Sequence, residues 1–156
     1  MNLHDRARAI LRQNDQGGYT LPTHGLYPYQ WNWDSAFAAW GFATFDPERG
    51  WKELETLMSG QWDDGMVPHI VFQQHDPDYF PGPGVWQTNT EPSTSGHSQP
   101  PVLASVILRM VRMGTAYDSR KAREVFPRLM AYHRWFCSAR DPQGTGVIGI
   151  IHPWES

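Results

Sequence analysis

The sequence is poor in cysteine. Cys137 stands alone in 156 residues, so an internal disulfide framework is excluded, and a single thiol fits a reducing compartment. Long apolar runs are missing as well. None approaches the roughly 20 residues of a membrane span, which argues against a membrane partner. Residues Met1-Asn2-Leu3-His4-Asp5 do not carry a signal-peptide pattern, and these absences together point to a cytoplasmic protein. Basic patches are scarce: the longest positive cluster is Arg120, Lys121 and Arg123, in a chain of formal net charge −3. A nucleic-acid partner normally demands a basic face. There is no repeat of fixed period, and the length suits one core and about one domain.

Aromatics are in excess. There are eight tryptophans, and several sit beside Gly, Pro, Asn, Asp and Gln instead of inside apolar runs. A tryptophan among polar hydrogen-bonders suits the wall of a polar-ligand pocket, because its ring stacks on apolar faces while its N–H reaches a partner. Sugars offer both surfaces, C–H faces and hydroxyl edges.

Apolar periodicity predicts about five helices. The first runs from Leu3 to about Gln13, with Leu3, Ala7, Ile10 and Leu11 at helical spacing. A second spans Trp33 to Phe45, with Ala36, Phe37, Trp40 and Gly41 on a face open to a close neighbour. Asp46 can cap a third helix that Pro47 opens and that runs to about Ser59. Residues 61–97 are a long irregular segment; its aromatics make a functional loop the better reading than disorder. Further helices are expected from about Pro100 to Met113, capped by Ser98, and from about Ser119 to Ala139, kinked or restarted at Pro127. The apolar stripe of the last is Val125, Phe126, Leu129, Met130, His133 and Phe136, with Cys137 buried. Residues Val147 to Ile151 read as a short strand. Helices joined by long, aromatic, polar loops suggest an all-α, α/α arrangement whose loops build the site at one end.

Four segments could carry chemistry. In Tyr27-Pro28-Tyr29-Gln30-Trp31-Asn32-Trp33-Asp34-Ser35, four aromatics and an acid meet a helix entry. Asp34 or Ser35 there is either a plain helix cap or, for Asp34, a carboxylate that accepts from two sugar hydroxyls. Gln61-Trp62-Asp63-Asp64-Gly65-Met66-Val67-Pro68-His69 reads first as a turn. Asp63 and Asp64 with His69 or His75 match no metal-ligand spacing, so neither a metal nor a cofactor is expected. Thr94-Ser95-Gly96-His97-Ser98-Gln99-Pro100-Pro101 places the Gln99 amide at a helix mouth. A serine nucleophile at Ser95 lacks the Gly-x-Ser-x-Gly elbow. His152-Pro153-Trp154-Glu155-Ser156 is either a packing corner or a pocket floor.

In this order, the four segments resemble glycoside hydrolase family 63, and within it the glucosylglycerate and mannosylglycerate hydrolases; trehalases share a similar Trp-Asp-Ser segment. The resemblance covers about Leu3 to Ser156. It implies an (α/α)6 toroid, six helical hairpins in a ring, and an inverting mechanism. In that mechanism one carboxylic acid protonates the leaving oxygen, and a second, roughly 6.5–9.5 Å away, activates water. It implies sugar contacts in the −1 subsite for Tyr27, Trp31, Trp33, Asp34, Gln99 and Trp154.

The family's general acid lies a few residues beyond its Trp-Glu-Ser-Gly segment, and its general base lies much later. This chain stops at Ser156, so no catalytic residue is assigned, and Glu155 matches the motif's structural glutamate. The resemblance therefore implies a single partial domain over residues 1–156, the N-terminal part of an inverting α-glycoside hydrolase that is inactive alone. Its uncovered helix faces would call for a complementing C-terminal segment or self-association. The alternative is a non-catalytic carbohydrate-binding or interaction module derived from that fold.

Overall fold

Helix α1 spans Leu3–Asn14 and begins where the Asn2 side chain accepts from the Asp5 N–H. The computed structural model describes residues 2–155. Strand β1 (Gln30–Trp31) leads directly into α2 (Asn32–Ala43), and α3 (Pro47–Met58) follows. Asp46 caps α3 by accepting from the Arg49 N–H, with Pro47 in its first turn, as the sequence predicts. Strand β2 (Ile70–Val71) pairs antiparallel with β1, Gln30 opposite Val71 and Trp31 opposite Ile70. A one-turn helix, α4 (Pro83–Trp86), interrupts the long loop before α5 (Leu103–Met113) and α6 (Ala116–Ala139).

One core joins four of the five long helices, α2, α3, α5 and α6. Ala36 and Ala39 of α2 meet Trp51, Leu54 and Leu57 of α3, Leu103 and Met110 of α5, and Val125, Leu129 and Tyr132 of α6. Close approach of α2 and α3 depends on Gly50: a Cβ there would lie 2.7 Å from the Ala39 carbonyl oxygen. Gly41 similarly admits Leu11 of α1. The Trp51 indole N–H donates to Asp118 at 2.8 Å inside the core and ties α3 to α6. A second, smaller cluster surrounds the two-stranded ribbon: Tyr29, Trp31, Ile70 and Phe72, with Tyr79 and Trp86 against it. The ribbon fixes the long loop to the entry of α2.

Several local expectations change. Helix α5 starts at Leu103, because Ser98 is buried and donates to the Val67 carbonyl instead of capping. Helix α6 starts at Ala116, where Thr115 and Asp118 form a capping box, and it runs through Pro127 as one element. Its buried stripe is Val125, Leu129, Tyr132 and Trp135, while Phe126 and Met130 are exposed. Cys137 is exposed, not buried. Residues 147–151 form no strand. Neither Asp34 nor Ser35 caps α2; Trp31 holds the cap position without a side-chain bond.

Apolar side chains remain uncovered on α5 (Leu108), on α6 (Phe126) and in the C-terminal segment (Val147, Ile150, Ile151). Among the described residues no helix is long and apolar enough to cross a membrane.

Candidate functional site

The first turn of α2 is pinned from both sides. On one side Asn32 is fully buried. Its backbone N–H donates to the His69 carbonyl at 2.9 Å, and its amide donates to the Val67 carbonyl and the Tyr132 hydroxyl, both at 3.2 Å. On the other side Ser35 donates to the buried Glu53 carboxylate at 2.5 Å. Glu53 also accepts from the Thr20 hydroxyl at 2.7 Å and pairs with Arg49 at 2.9 Å. With Asn32 and Ser35 held inward, Trp33 and Asp34 between them face out of the core.

A cavity of about 390 Å³ opens at this turn, lined by Pro22, Tyr27, Trp31, Trp33, Asp34, His69, Tyr79 and Gln99. Five residues singled out in the sequence thus converge: Tyr27, Trp31, Trp33, Asp34 and Gln99. Trp31 meets Tyr27 edge-on with centroids 5.2 Å apart and Tyr79 at 5.6 Å, so the aromatic wall is preformed. The Trp33 backbone N–H donates to Gln99 Oε1 at 3.0 Å, which leaves the Gln99 Nε2 donors without a partner among the described residues. Tyr132, whose hydroxyl donates to the Gln99 carbonyl at 2.9 Å, fixes Gln99 from below. Burial pushes the Tyr132 phenol up to about 12.

Burial also raises the Asp34 carboxyl above its ordinary range, against the lowering effect of its own backbone N–H and of Trp33. A partly desolvated carboxylate in an aromatic cavity is the kind of group that sequesters hydroxyl donors.

Trp154 does not line this cavity. It lies beyond it with Phe80, Trp86 and His152, 43 % exposed. Its carbonyl accepts from the His97 ring at 2.8 Å, and that ring touches the cavity residue His69. Glu155 holds the turn carrying Trp154. Its carboxylate pairs with Arg140 and accepts from the N–H groups of Ile151 and His152. Burial pushes its carboxyl up, but Arg140 and these N–H groups outweigh that and hold it below the usual range.

His69, Tyr79 and Pro22 were not singled out as sugar contacts from the sequence. His69 and Tyr79 reach the cavity from loop positions far from α2 in the chain and Pro22 from the loop before β1, and the only sequence signal was their place near aromatics and Pro. Other readings do not assemble. The Ser95 hydroxyl donates to the His97 carbonyl, not to its ring, so there is no serine–histidine pair. Asp64 accepts from the Met66 N–H and the Trp135 indole, which is the turn expected for Asp63-Asp64-Gly65. A larger cavity, about 520 Å³, lies between residues 59–64 and 88–92. Much of its polar lining is internally satisfied: Trp62 donates to Thr94, Gln61 to the Gly65 and Arg128 carbonyls, and Thr88, Thr90 and Thr94 bond to one another.

Comparison with known proteins points the same way. Residues 27–156 match the family described as the mannosylglycerate hydrolase MGH1-like glycoside hydrolase domain. Mannosylglycerate hydrolase MGH1 of Selaginella moellendorffii is 53 % identical over 97 % of this chain and 32 % of its own length. The glucosylglycerate hydrolase of Mycolicibacterium hassiacum is 41 % identical over 97 % of this chain and 37 % of its own. A GH63 mannosylglycerate hydrolase from Thermus thermophilus, solved in complex with Tris, superposes with a TM-score of 0.94 at 49 % identity, over 99 % of this chain and 38 % of that one. The same enzyme has been solved in complex with glucose. The helices described above are therefore the N-terminal part of a GH63 fold, and the chain spans about a third of the length of the curated relatives it matches. By its match over residues 27–156, the chain belongs to the MGH1-like glycoside hydrolase family.

Proposed function

We propose that this chain supplies the −1 sugar subsite of an inverting α-glycoside hydrolase that acts on a small glucoside or mannoside such as glucosylglycerate or mannosylglycerate. The observation that carries the reading is the convergence of Tyr27, Trp31, Trp33, Asp34 and Gln99 on one cavity of about 390 Å³, a volume in the range of small-ligand sites. The aromatic rings match the C–H face of a pyranose. Asp34 accepts from adjacent hydroxyls, and the Gln99 amide donates to a third. Trp154 belongs to the rim of this subsite, on the turn held by Glu155.

An inverting reaction needs a carboxylic acid at the leaving oxygen and a second carboxylate on the attacking water. Asp34 is assigned to neither role, because it binds sugar hydroxyls. The chemistry then comes from a segment outside residues 1–156, which this chain meets either within one longer protein or as a separate complementing piece. The uncovered Leu108, Phe126, Ile150 and Ile151 support such a partner surface. A single partial domain, active only when completed, follows from this reading.

The test is turnover of glucosylglycerate and mannosylglycerate by the purified chain, with and without the C-terminal part of the Thermus thermophilus relative. The expected result is activity only on complementation and its loss in Asp34→Asn. Turnover by residues 1–156 alone would refute the division of labour. Sugar binding that complementation never converts to turnover would favour a carbohydrate-binding module instead.

A further inference from the structure

His69 and His97 form a partly buried ring-to-ring contact. His69 Nδ1 lies 2.5 Å from His97 Nε2, and His97 Nε2 also lies 2.8 Å from the Trp154 carbonyl oxygen. The backbones are tied as well, since the His69 N–H donates to the His97 carbonyl at 2.7 Å. The His69 carbonyl in turn accepts from Asn32 in the first turn of α2.

Hydrogen-bond chemistry fixes the protons. A carbonyl oxygen can only accept, so the Trp154 carbonyl takes its proton from His97 Nε2, 2.8 Å away, or from the His69 ring, which also bonds to it. The other nitrogen of His97, Nδ1, is buried with no partner. A proton there would be an unsatisfied buried donor, which costs about 1–3 kcal/mol. That cost puts the single proton of neutral His97 on Nε2, which makes His97 the donor to Trp154. That N–H also faces His69 Nδ1, which must then present a lone pair. The proton of neutral His69 consequently sits on Nε2, the nitrogen with no protein partner among the described residues, on a ring that lines the cavity beside Asp34. Both imidazoles are held neutral by burial: His69 is pushed down to about 3, helped by the neighbouring His97, and His97 is lowered too.

We infer that His69 is a sugar-binding hydrogen-bond donor through Nε2–H, and that His97 is a positioning residue that locks His69 in this tautomer by bridging it to the Trp154 carbonyl. The inference rests on the sugar-subsite reading. It gives that subsite a third polar corner, a neutral donor to set beside the Asp34 acceptor, and it couples the subsite to the turn that carries Trp154. It also selects for ligands with an acceptor oxygen at the His69 corner, so a deoxy sugar lacking that hydroxyl loses the contact.

The tautomer is read directly from long-range ¹H–¹⁵N correlations of the ¹⁵N-histidine-labelled chain, without ligand. The expected spectrum shows His69 with a protonated Nε2 and a bare Nδ1. His97→Gln keeps an amide donor near the same position and is expected to preserve that pattern. His97→Met removes the donor and is expected to give mixed tautomers at His69. A titration with D-glucose and D-mannose of the chain completed by the relative's C-terminal part then reads the consequence. We expect at least fivefold weaker binding in His97→Met, with near wild-type binding in His97→Gln. A protonated Nδ1 at His69, or a tautomer and affinity unmoved by His97→Met, overturns the inference while leaving the subsite reading intact. The predicted tautomer in a completed wild-type protein that binds neither sugar overturns the subsite reading and the donor role with it, and leaves only the lock.

Discussion

Substituting Glu53 by Gln tests whether the entry of α2 is held as described. Glu53 is fully buried on α3. It accepts from the Thr20 N–H at 3.1 Å and hydroxyl at 2.7 Å, from Gln30 at 3.3 Å and from Ser35 at 2.5 Å, and it pairs with Arg49 at 2.9 Å. Every group facing it is a donor. An amide keeps the volume but removes one of the two carboxylates that Arg49 pairs with, Asp15 being the other at 2.8 Å, and points an NH2 at one of these donors. Breaking a buried ion pair by removing one partner costs about 3–5 kcal/mol, and the remaining Asp15 pair keeps the loss at the lower end of that range. For a chain of this size each kcal/mol lowers the melting midpoint by about 2–4 °C, so Glu53→Gln should melt about 10 °C lower by circular dichroism. Ser35→Ala removes only one of the bonds and should cost about 1 kcal/mol. Because Ser35 follows Asp34, Glu53→Gln should also weaken sugar binding in the completed protein. A Glu53→Gln midpoint within about 2 °C of wild type would refute the claim that this carboxylate organises the turn.

Three further outcomes follow from the same geometry. Gly50→Ala puts a Cβ 2.7 Å from the Ala39 carbonyl oxygen and 3.2 Å from the Ala43 nitrogen; urea denaturation should show a loss of about 1–3 kcal/mol, as for other overpacked contacts. Asp34→Asn should not destabilise the fold. A carboxyl whose folded pKa is raised opposes folding once ionised, so removing the charge should leave stability unchanged or improved at neutral pH while sugar affinity falls at least about tenfold. Acid should weaken the fold through His69 and His97: below their ordinary value of 6.5 the unfolded chain takes up protons that the buried imidazoles do not. Stability is therefore full above pH 6.5 and falls as pH drops toward about 3, with His69 contributing at most about 3 kcal/mol between pH 6.5 and 4. The double variant His69→Gln/His97→Gln should flatten that slope in pH-dependent urea melts.

Much of the site was readable because its chemistry is local. Trp31, Trp33 and Asp34 sit together at a helix entry, and the plain cap that the sequence equally offered there is not made. Gln99 was readable because the prolines after it mark a helix approach, although that helix starts at Leu103. His69 and Tyr79 were not readable as cavity residues, because only the β1–β2 ribbon and the contacts of residues 93–97 bring their loop to α2. The error in α6 has a definite source. Phe126 and Met130 fit a helical stripe as well as Tyr132 and Trp135 do, and periodicity alone does not say which stripe meets α3 and α5. Burial is decided by partners: Tyr132 reaches Asn32 and Gln99, and Trp135 reaches Asp64. Asp118 in place of the usual Glu or Gln concealed the capping box that begins the helix three residues before Ser119. Glu53 carries no local signal in the sequence, because Thr20, Gln30 and Ser35 reach it from outside its own helix.

The subsite itself is tested most directly by titrating D-glucose and D-mannose into the completed, ¹⁵N-labelled protein and following the indole N–H signals of Trp31 and Trp33 with the Gln99 side-chain amide. The account predicts saturable shifts at these three groups, abolished by Asp34→Asn, with the Trp51 and Trp135 indoles unmoved because both are bonded inside the fold. Shifts absent from Trp31, Trp33 and Gln99, or unchanged in Asp34→Asn, would contradict it.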